Sequence, residues 1–403
     1  MAKENSTGIF SYGNFLIPAE KDLPLWAVIA CDQFTSEPEY WDEVGRLTCG
    51  HTSSYQMIFP EAYLSDENTG RITEIHQYMR DSIEKDFFRR YPDAFIYVER
   101  TLSDGRIRHG LTGFLDLETY DWHSQTELPV RATEHTVAER IPPRLAVREK
   151  APLDLSHIML LCDDPQKMLI EYACSVKDRL PVIYDFDLMM GGGRIRGYLM
   201  QGNEAETMQK RIDEYCMRKY ESSDNPVCFL AGDGNHSLAA AREAYIRSGD
   251  PAKRYAVCEL INIHDPSLEF EPIHRILKGI DPEHFLKTIK EEMTAEEGEP
   301  FTLIAGGKEY EMHLKCSCGT FVLGALQPFL DSYVDRFGGE PDYIHGADTV
   351  RRLCGEDIVG ILLPPIRKDD FFANVEKNGV LPRKTFSMGE SNEKRYYLET
   401  AEL

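Results

Sequence analysis

No apolar run in this 403-residue chain approaches the ~20 residues that a bilayer-spanning helix requires, so no membrane partner is expected. Basic residues are in short supply: 45 Lys and Arg stand against 68 Asp and Glu, a net charge of −23. A surface of that sign disfavours broad contact with nucleic-acid phosphates or anionic lipid, although a local basic pocket stays open. The sequence has no GxGxxG after a strand pattern and no GxxxxGK[ST], which removes support for a Rossmann or P-loop site. HExxH and GxSxG are missing too, and with them the two commonest hydrolase signatures. The 10 cysteines include no CxxC pair, which argues against a structural zinc site. Cys316 and Cys318 are two apart, at an expected strand end. The opening MAKENSTGIF lacks the basic start and apolar stretch of a secretory leader. The expectation is therefore reduced thiols in a cytoplasmic protein.

What is present is ordinary globular composition, 42% hydrophobic and 28% charged, which excludes wholesale disorder. The length suits two or three domains or one large unit; we divide it into a main region, 1–264, and a C-terminal region, 265–403. Helical spacing of apolar residues is clearest over 37–47, 72–88, 165–176 and 204–220. Three hairpins are expected. Strands 95–102 and 106–117 flank Ser103-Asp104-Gly105, strands 182–188 and 194–199 flank Gly191-Gly192-Gly193, and strands 301–304 and 309–314 flank Gly306-Gly307. Hairpins mixed with helices, without regular βαβα alternation, predict an α+β or mixed α/β fold.

One segment carries most of the chemistry. The apolar run Val227-Cys228-Phe229-Leu230-Ala231 leads into Gly232-Asp233-Gly234-Asn235-His236-Ser237 and then into an alanine-rich stretch ending near Ser248. The pattern predicts a buried strand, a tight polar turn and a helix. The first turn of such a helix has free N–H groups and a positive dipole end, a natural cradle for an anion. A structural cap explains the same residues without any ligand.

The turn resembles the Asp-Gly-His-His-Arg motif of the family known as domain of unknown function 1015. Four further segments resemble that family in the same order. They are Val28-Ile29-Ala30-Cys31-Asp32-Gln33; Arg131-Ala132-Thr133-Glu134-His135-Thr136 with Arg144-Leu145 and Asp154-Leu155-Ser156-His157-Ile158 through Asp163-Asp164; Glu271-Pro272-Ile273-His274-Arg275; and Leu381-Pro382-Arg383-Lys384-Thr385. The family's turn is similar to the phosphate-binding turn of the ParB/sulfiredoxin-like fold, which binds nucleotide phosphates in sulfiredoxin, ParB proteins and free-serine kinases. The resemblance implies a ParB/sulfiredoxin-like core elaborated with extra hairpins and helices. Ser237 stands where that motif has Arg, which removes a bidentate phosphate ligand.

Two readings follow from the resemblance. In the first, the protein is a phosphotransferase that moves phosphate from ATP or ADP, with Mg²⁺, to a small hydroxyl compound such as free serine. Asp233, Gly234, Asn235 and Ser237 would hold phosphate with Arg275 and Lys384 as electrostatic partners. Asp32 or Glu134 would activate the hydroxyl or bind Mg²⁺, and His236 would orient phosphate or relay a proton. Arg144 and His274 are further candidates. In the second reading the same scaffold binds a nucleotide or small ligand without catalysis, and Ser237 favours it. Each residue also has a plainer role: Asp32 as a helix lead-in, Glu134 and Arg144 as ion-pair partners, His274 as a packed histidine, Lys384 in a solvated basic cluster. The 191–193 glycines, with Arg194 and Arg196 after them and no helix, read as a hairpin turn rather than a phosphate loop.

Overall fold

The structure is a computed structural model that describes residues 7–64, 69–123, 126–314 and 321–403; Cys316 and Cys318 lie outside the described residues. The fold is mixed α/β and divides into two compact units, Met1–Leu268 with Glu390–Leu403, and Glu269–Gly389. Among the described residues no helix is long and apolar enough to cross a membrane.

The first unit is built on a mixed sheet. Its main path uses β1 (Gly13–Pro18), β2 (Phe88–Thr101), β3 (Ile107–Asp116), β4 (Tyr120–Asp121), β5 (Val130–Ala132), β6 (Leu153–Leu155), β7 (Met159–Cys162), β8 (Phe229–Asp233), β9 (Tyr255–Asn262) and β10 (Thr400–Glu402). Across the sheet the order is β4-β5-β8-β7-β9-β3-β2-β1-β10-β6. The pairs β4/β5, β5/β8 and β7/β9 are parallel, and the others on this path are antiparallel. Strands β7, β8 and β9 read as continuous apolar runs because both faces of the sheet are covered there.

All three glycine turns join antiparallel strands. Thr101 pairs with Ile107 around Gly105, whose φ of +88° suits glycine. Arg194–Met200 pairs with Val182–Asp187 and with β2, and Arg194 and Arg196 both bind Asp185 across that hairpin, so the triple glycine is a turn. Two expected helices differ in extent, and the one over 72–88 runs Thr69–Glu84, with Phe88 already in β2. The stretch 165–176 becomes helical only at α2 (Ile170–Val176), because the Asp164 carboxylate accepts the N–H groups of Met168 (2.6 Å) and Leu169 (2.9 Å) and holds the preceding loop. The apolar run after Leu23 splits into a helical turn, Leu23–Trp26, and a two-residue strand, Val28–Ile29. Burial of the whole run accounts for its composition, and a short apolar run does not distinguish strand from helix.

The C-terminal residues return to this unit and are clamped by buried arginines. Arg100 donates to the carbonyls of Gly192 and Asn392, and Arg108 donates to the carbonyl of Glu393 (2.6 Å). Arg395 binds Glu259 (3.1 Å), Glu399 (2.7 Å) and the Ser156 carbonyl. The Trp26 indole donates to the Leu398 carbonyl (3.0 Å), and Tyr396–Tyr397 pairs with Val28–Ile29.

Besides α2, two helices of this unit pack together beside the sheet: α1 (Ile141–Arg148) and α3 (Asn235–Ser248). Ala239, Ala240 and Ala244 of α3 form a small-residue face against Ile141 and Leu145 of α1. Small side chains allow the two helices to approach closely, which turns the neighbouring face of α1, with Arg144 and Arg148, towards the start of α3.

The second unit carries an antiparallel sheet ordered Lys308–Leu314, Thr294–Ala305, Ile358–Leu362, His274–Lys278 and Glu340–Ile344. Helices Pro282–Glu292 and Val322–Phe337 cover it around Phe285, Leu326 and Tyr333.

Candidate functional site

Strand β8 ends at Asp233, and Gly234 turns the chain in the left-handed region, φ +76°, to start α3. A Cβ at this position would lie 3.1 Å from Ile158 Cα and 3.4 Å from His157 Cδ2, so glycine is required by space as well as by conformation. No side chain caps α3, and its first internal hydrogen bond is from Leu238 N–H to the Gly234 carbonyl (2.9 Å). The N–H groups of Asn235, His236 and Ser237 therefore have no acceptor within the helix and present its positive end.

The segment after β5 crosses this turn. Thr133 Oγ1 donates to the Ala231 carbonyl (2.8 Å), and Asn235 Nδ2 donates to Thr133 Oγ1 (3.4 Å). Val137 N–H donates to His236 Nε2 (3.2 Å). Half-buried Glu134 belongs to the same crossing. Because His236 Nε2 accepts, its ring proton is on Nδ1. Burial first, then the positive charges of Arg144 and Arg140, push its pKa down to about 4, so the ring is neutral near neutral pH.

Asp32 lies in the turn after Val28–Ile29. Its Oδ2 is 3.5 Å from Nε2 of His157, whose side chain is 1% exposed against 20% for Asp32. His157 Nδ1 pairs with the Tyr397 hydroxyl (2.8 Å), which also accepts the Cys31 N–H (3.3 Å). His157 Nδ1 and the tyrosine hydroxyl share one hydrogen, and Nε2 faces Asp32. At 3.5 Å that buried Nε2 makes no full hydrogen bond. Burial would raise the pKa of Asp32, but His157, Arg144 and Gln33 together hold it well below the usual carboxylate range. The Cys31 thiol is pushed up to about 11 by burial and by Asp32, so it is no nucleophile.

Beside the turn is a narrow cavity of about 80 Å³. Its walls are mainly apolar, from Met57, Phe59, Val147 and Leu155 among others, with Ser237, Arg144, Arg148, Glu61 and Ser156 supplying polar groups. Arg144 pairs with Glu61 and Arg148 with Asp154. Ser237 is the residue of the turn on this wall, and the guanidinium of Arg144 shares the cavity with it. Asp233 Oδ2 is buried without a hydrogen-bond donor, its nearest cation being Lys394 Nζ at 4.0 Å.

The family profile described as "Protein of unknown function (DUF1015)" matches residues 15–333. The chain belongs to that family. No curated protein matches it. Among solved structures it is similar to a free serine kinase (E30A mutant) in complex with ADP, at 14% identity and TM-score 0.39, covering 73% of this chain and 92% of that one. It is also similar to SbnI with C-terminal truncation from Staphylococcus aureus, at 11% identity and TM-score 0.37, covering 69% and 82%. A conserved hypothetical protein from Pyrococcus furiosus is similar at 13% identity and TM-score 0.34, covering 72% and 94%. At these scores no residue-by-residue correspondence can be drawn.

The first unit of this DUF1015 chain thus groups Asp32, Arg144, His236 and Ser237 around one turn and cavity, with Asp233, Gly234, Asn235 and Glu134 in or across the turn. His274, Arg275 and Lys384 belong to the second unit. There Arg275 is buried and donates to Gln327 (3.1 Å) and to the carbonyls of Ile273 (2.6 Å) and Arg383 (3.1 Å). Arg275 and Lys384 both lie over the Tyr343 ring, at 4.6 and 4.7 Å. His274 accepts the Leu363 N–H (3.1 Å), and burial, followed by Arg275, lowers its pKa to about 4. Arg242 of α3 donates to the Leu117 carbonyl. Sequence reasoning does not single out His157, Tyr397, Glu61 or Lys394. His157 has a faint signal, a polar residue abutting an apolar strand; Tyr397 has none, since its contacts span most of the chain.

Proposed function

We propose that this protein binds the phosphates of ATP or ADP at the N-terminus of α3 and transfers a phosphoryl group to a small hydroxyl compound of the free-serine type. One observation carries the reading: the uncapped helix start and the Arg144 guanidinium meet at Ser237 on the wall of one cavity. The free N–H groups and the dipole favour an anion, and Arg144 restores the charge that the turn lacks at Ser237. The acceptor oxygen would attack the terminal phosphorus, the bond to the bridging oxygen would break, and the nucleotide would leave with one phosphate fewer. The hydroxyl proton would pass to Asp32. A carboxylate held this far into its ionised form is a weak base, which suits a loose transition state in which positioning and charge neutralisation do most of the work. Neutral His236 would steer a phosphate oxygen through Nδ1–H rather than act as a cation. Asp32 and the Asp233 oxygen that lacks a hydrogen-bond donor are the carboxylates that would hold Mg²⁺, which would neutralise phosphate charge. Arg275 and Lys384 remain proposed electrostatic partners.

The test is calorimetric titration of the full chain with ATP, ADP and pyrophosphate, with and without Mg²⁺, followed by phosphate transfer to serine and other small alcohols. Arg144→Gln should weaken binding about ten- to a hundredfold, the worth of one charge-assisted contact. Arg275→Gln and Lys384→Gln in the same titrations show whether the second unit contributes. A second reading, a non-catalytic ligand-binding protein, is favoured by Ser237 itself and by the Arg144–Glu61 pairing, which already neutralises the cation. Binding without transfer selects it; absence of any phosphate binding defeats both.

A further inference from the structure

Away from this turn, three side chains from three elements converge beside the sheet. Glu99 of β2 and His109 of β3 are directly paired across the strands, and Cys174 comes from α2. One ligand atom from each lies within 4.8 Å of the other two, and all three are half-buried. His109 Nδ1 is held by Asp265 Oδ2 at 2.9 Å, and the same carboxylate accepts the His109 backbone N–H at 3.2 Å. That fixes the ring and directs Nε2 away from Asp265. Asp265 is itself held by Ser267, whose N–H (2.8 Å) and hydroxyl (2.6 Å) both donate to Oδ1. A carboxylate on the far nitrogen of an imidazole is the arrangement that orients histidine ligands in zinc proteins and raises their basicity.

We propose that Cys174 Sγ, His109 Nε2 and the Glu99 carboxylate form a binding site for a borderline-soft divalent ion of the Zn²⁺ type, with Asp265 as the positioning residue and a fourth position open. Thiolate with imidazole selects zinc, cobalt or related ions over Mg²⁺ or Ca²⁺. The ion displaces the Cys174 thiol proton to solvent, and no oxidation is involved. Three groups already surround Glu99: Lys177 Nζ (2.5 Å) and the Tyr97 hydroxyl (3.2 Å) on Oε1, and the Tyr198 hydroxyl (3.1 Å) on Oε2. The Lys177 ammonium therefore competes with a metal ion for the Glu99 carboxylate. Because the ligands lie far apart in sequence, no CxxC-type spacing announces the site.

Cobalt(II) titrated into the full-length, reduced protein tests this directly, since a thiolate ligand gives a sulfur-to-cobalt charge-transfer band. The expected result is one equivalent bound with that band. Cys174→Ser should abolish the band. His109→Ala and Asp265→Asn should weaken binding about tenfold or more, and Lys177→Met should tighten it by removing the competing cation. Circular dichroism on each variant establishes that it is folded, and Lys177→Met, at a half-buried side chain, serves if the others are not. The proposal is overturned by no thiolate band, by a band that survives Cys174→Ser, or by an affinity that Lys177→Met leaves unchanged or lowers.

Discussion

His236 makes the proposed site a contributor to acid sensitivity, and its contribution can be isolated. Its folded-state pKa is about 4, whereas an unfolded histidine titrates near 6.5. Above about pH 6.5 neither state binds this proton, and the neutral ring makes no difference to stability. As pH falls below that, the unfolded chain takes up the proton and the folded one does not, so stability is lost as pH drops towards 4. The slope approaches 1.4 kcal/mol per pH unit, and the whole window amounts to at most about 3 kcal/mol. His236→Gln keeps an acceptor for the Val137 N–H and removes the titration. Urea unfolding of wild type and variant at several pH values between about 7 and 4 should show the wild type losing up to ~3 kcal/mol more than the variant. Asp32 is lowered as well, but from a carboxylate reference, so the stability it contributes is lost only as pH falls through and below the ordinary carboxylate range, at the acid end of the window. Parallel pH dependences for the two proteins, or a steeper loss in His236→Gln, would refute the assignment of a neutral, desolvated ring.

Two further outcomes rest on packing. Gly234→Ala should destabilise the first unit by about 1–3 kcal/mol in urea unfolding, because an L-residue is strained at φ +76° and the new methyl meets Ile158; a cost under ~0.5 kcal/mol would contradict the left-handed turn. Arg395→Met should cost about 3–5 kcal/mol by leaving Glu399 buried without its cation and Glu259 with only Arg108, 3.8 Å away. Adding Glu399→Gln should recover part of that loss, and a double variant no more stable than the single one would show that the guanidinium acts chiefly through its carbonyl contact.

The parts of the fold legible in the sequence are those written in local chemistry. Gly105, Gly191, Gly193 and Gly306-Gly307 mark hairpins because positive φ favours glycine, and the alanine run after Ser237 marks α3. The family relationship is legible as well, through short segments in a shared order. What stays hidden depends on distant parts of the chain meeting. Tyr397 reaches His157 and Cys31 because Arg100 and Arg108 hold the returning C-terminal segment by its carbonyls while Arg395 of that segment donates to the Ser156 carbonyl, and no nearby residue announces that. The 165–176 stretch reads as one helix because a carboxylate capping a loop from Asp164 leaves apolar spacing unchanged. Arg144 is visible in the sequence only as a charge; its relation to Ser237 comes from the alanine face that lets α1 approach α3.

That relation decides what Ser237→Arg should do. Restoring arginine to the turn would strengthen a phosphate site that is short of charge, and would crowd one that is already supplied. The structure has Arg144 and Arg148 on the wall that Ser237 shares, with Glu61 and Asp154 as their counter-charges. A third guanidinium would enter a cavity of about 80 Å³ with no further carboxylate on its wall. Two like charges ~5 Å apart repel by about 3 kcal/mol at an effective dielectric of ~20, as much as a strong phosphate contact returns. Ser237→Arg alone should therefore weaken pyrophosphate binding in calorimetry. In an Arg144→Gln background, where the cavity has lost one cation, the same substitution should restore binding towards wild type. Tighter binding by the single variant would mean that Arg144 is fully spent on Glu61 and that the helix N-terminus works without a cation of its own. Equal loss in both backgrounds would separate the two positions and remove Arg144 from the site.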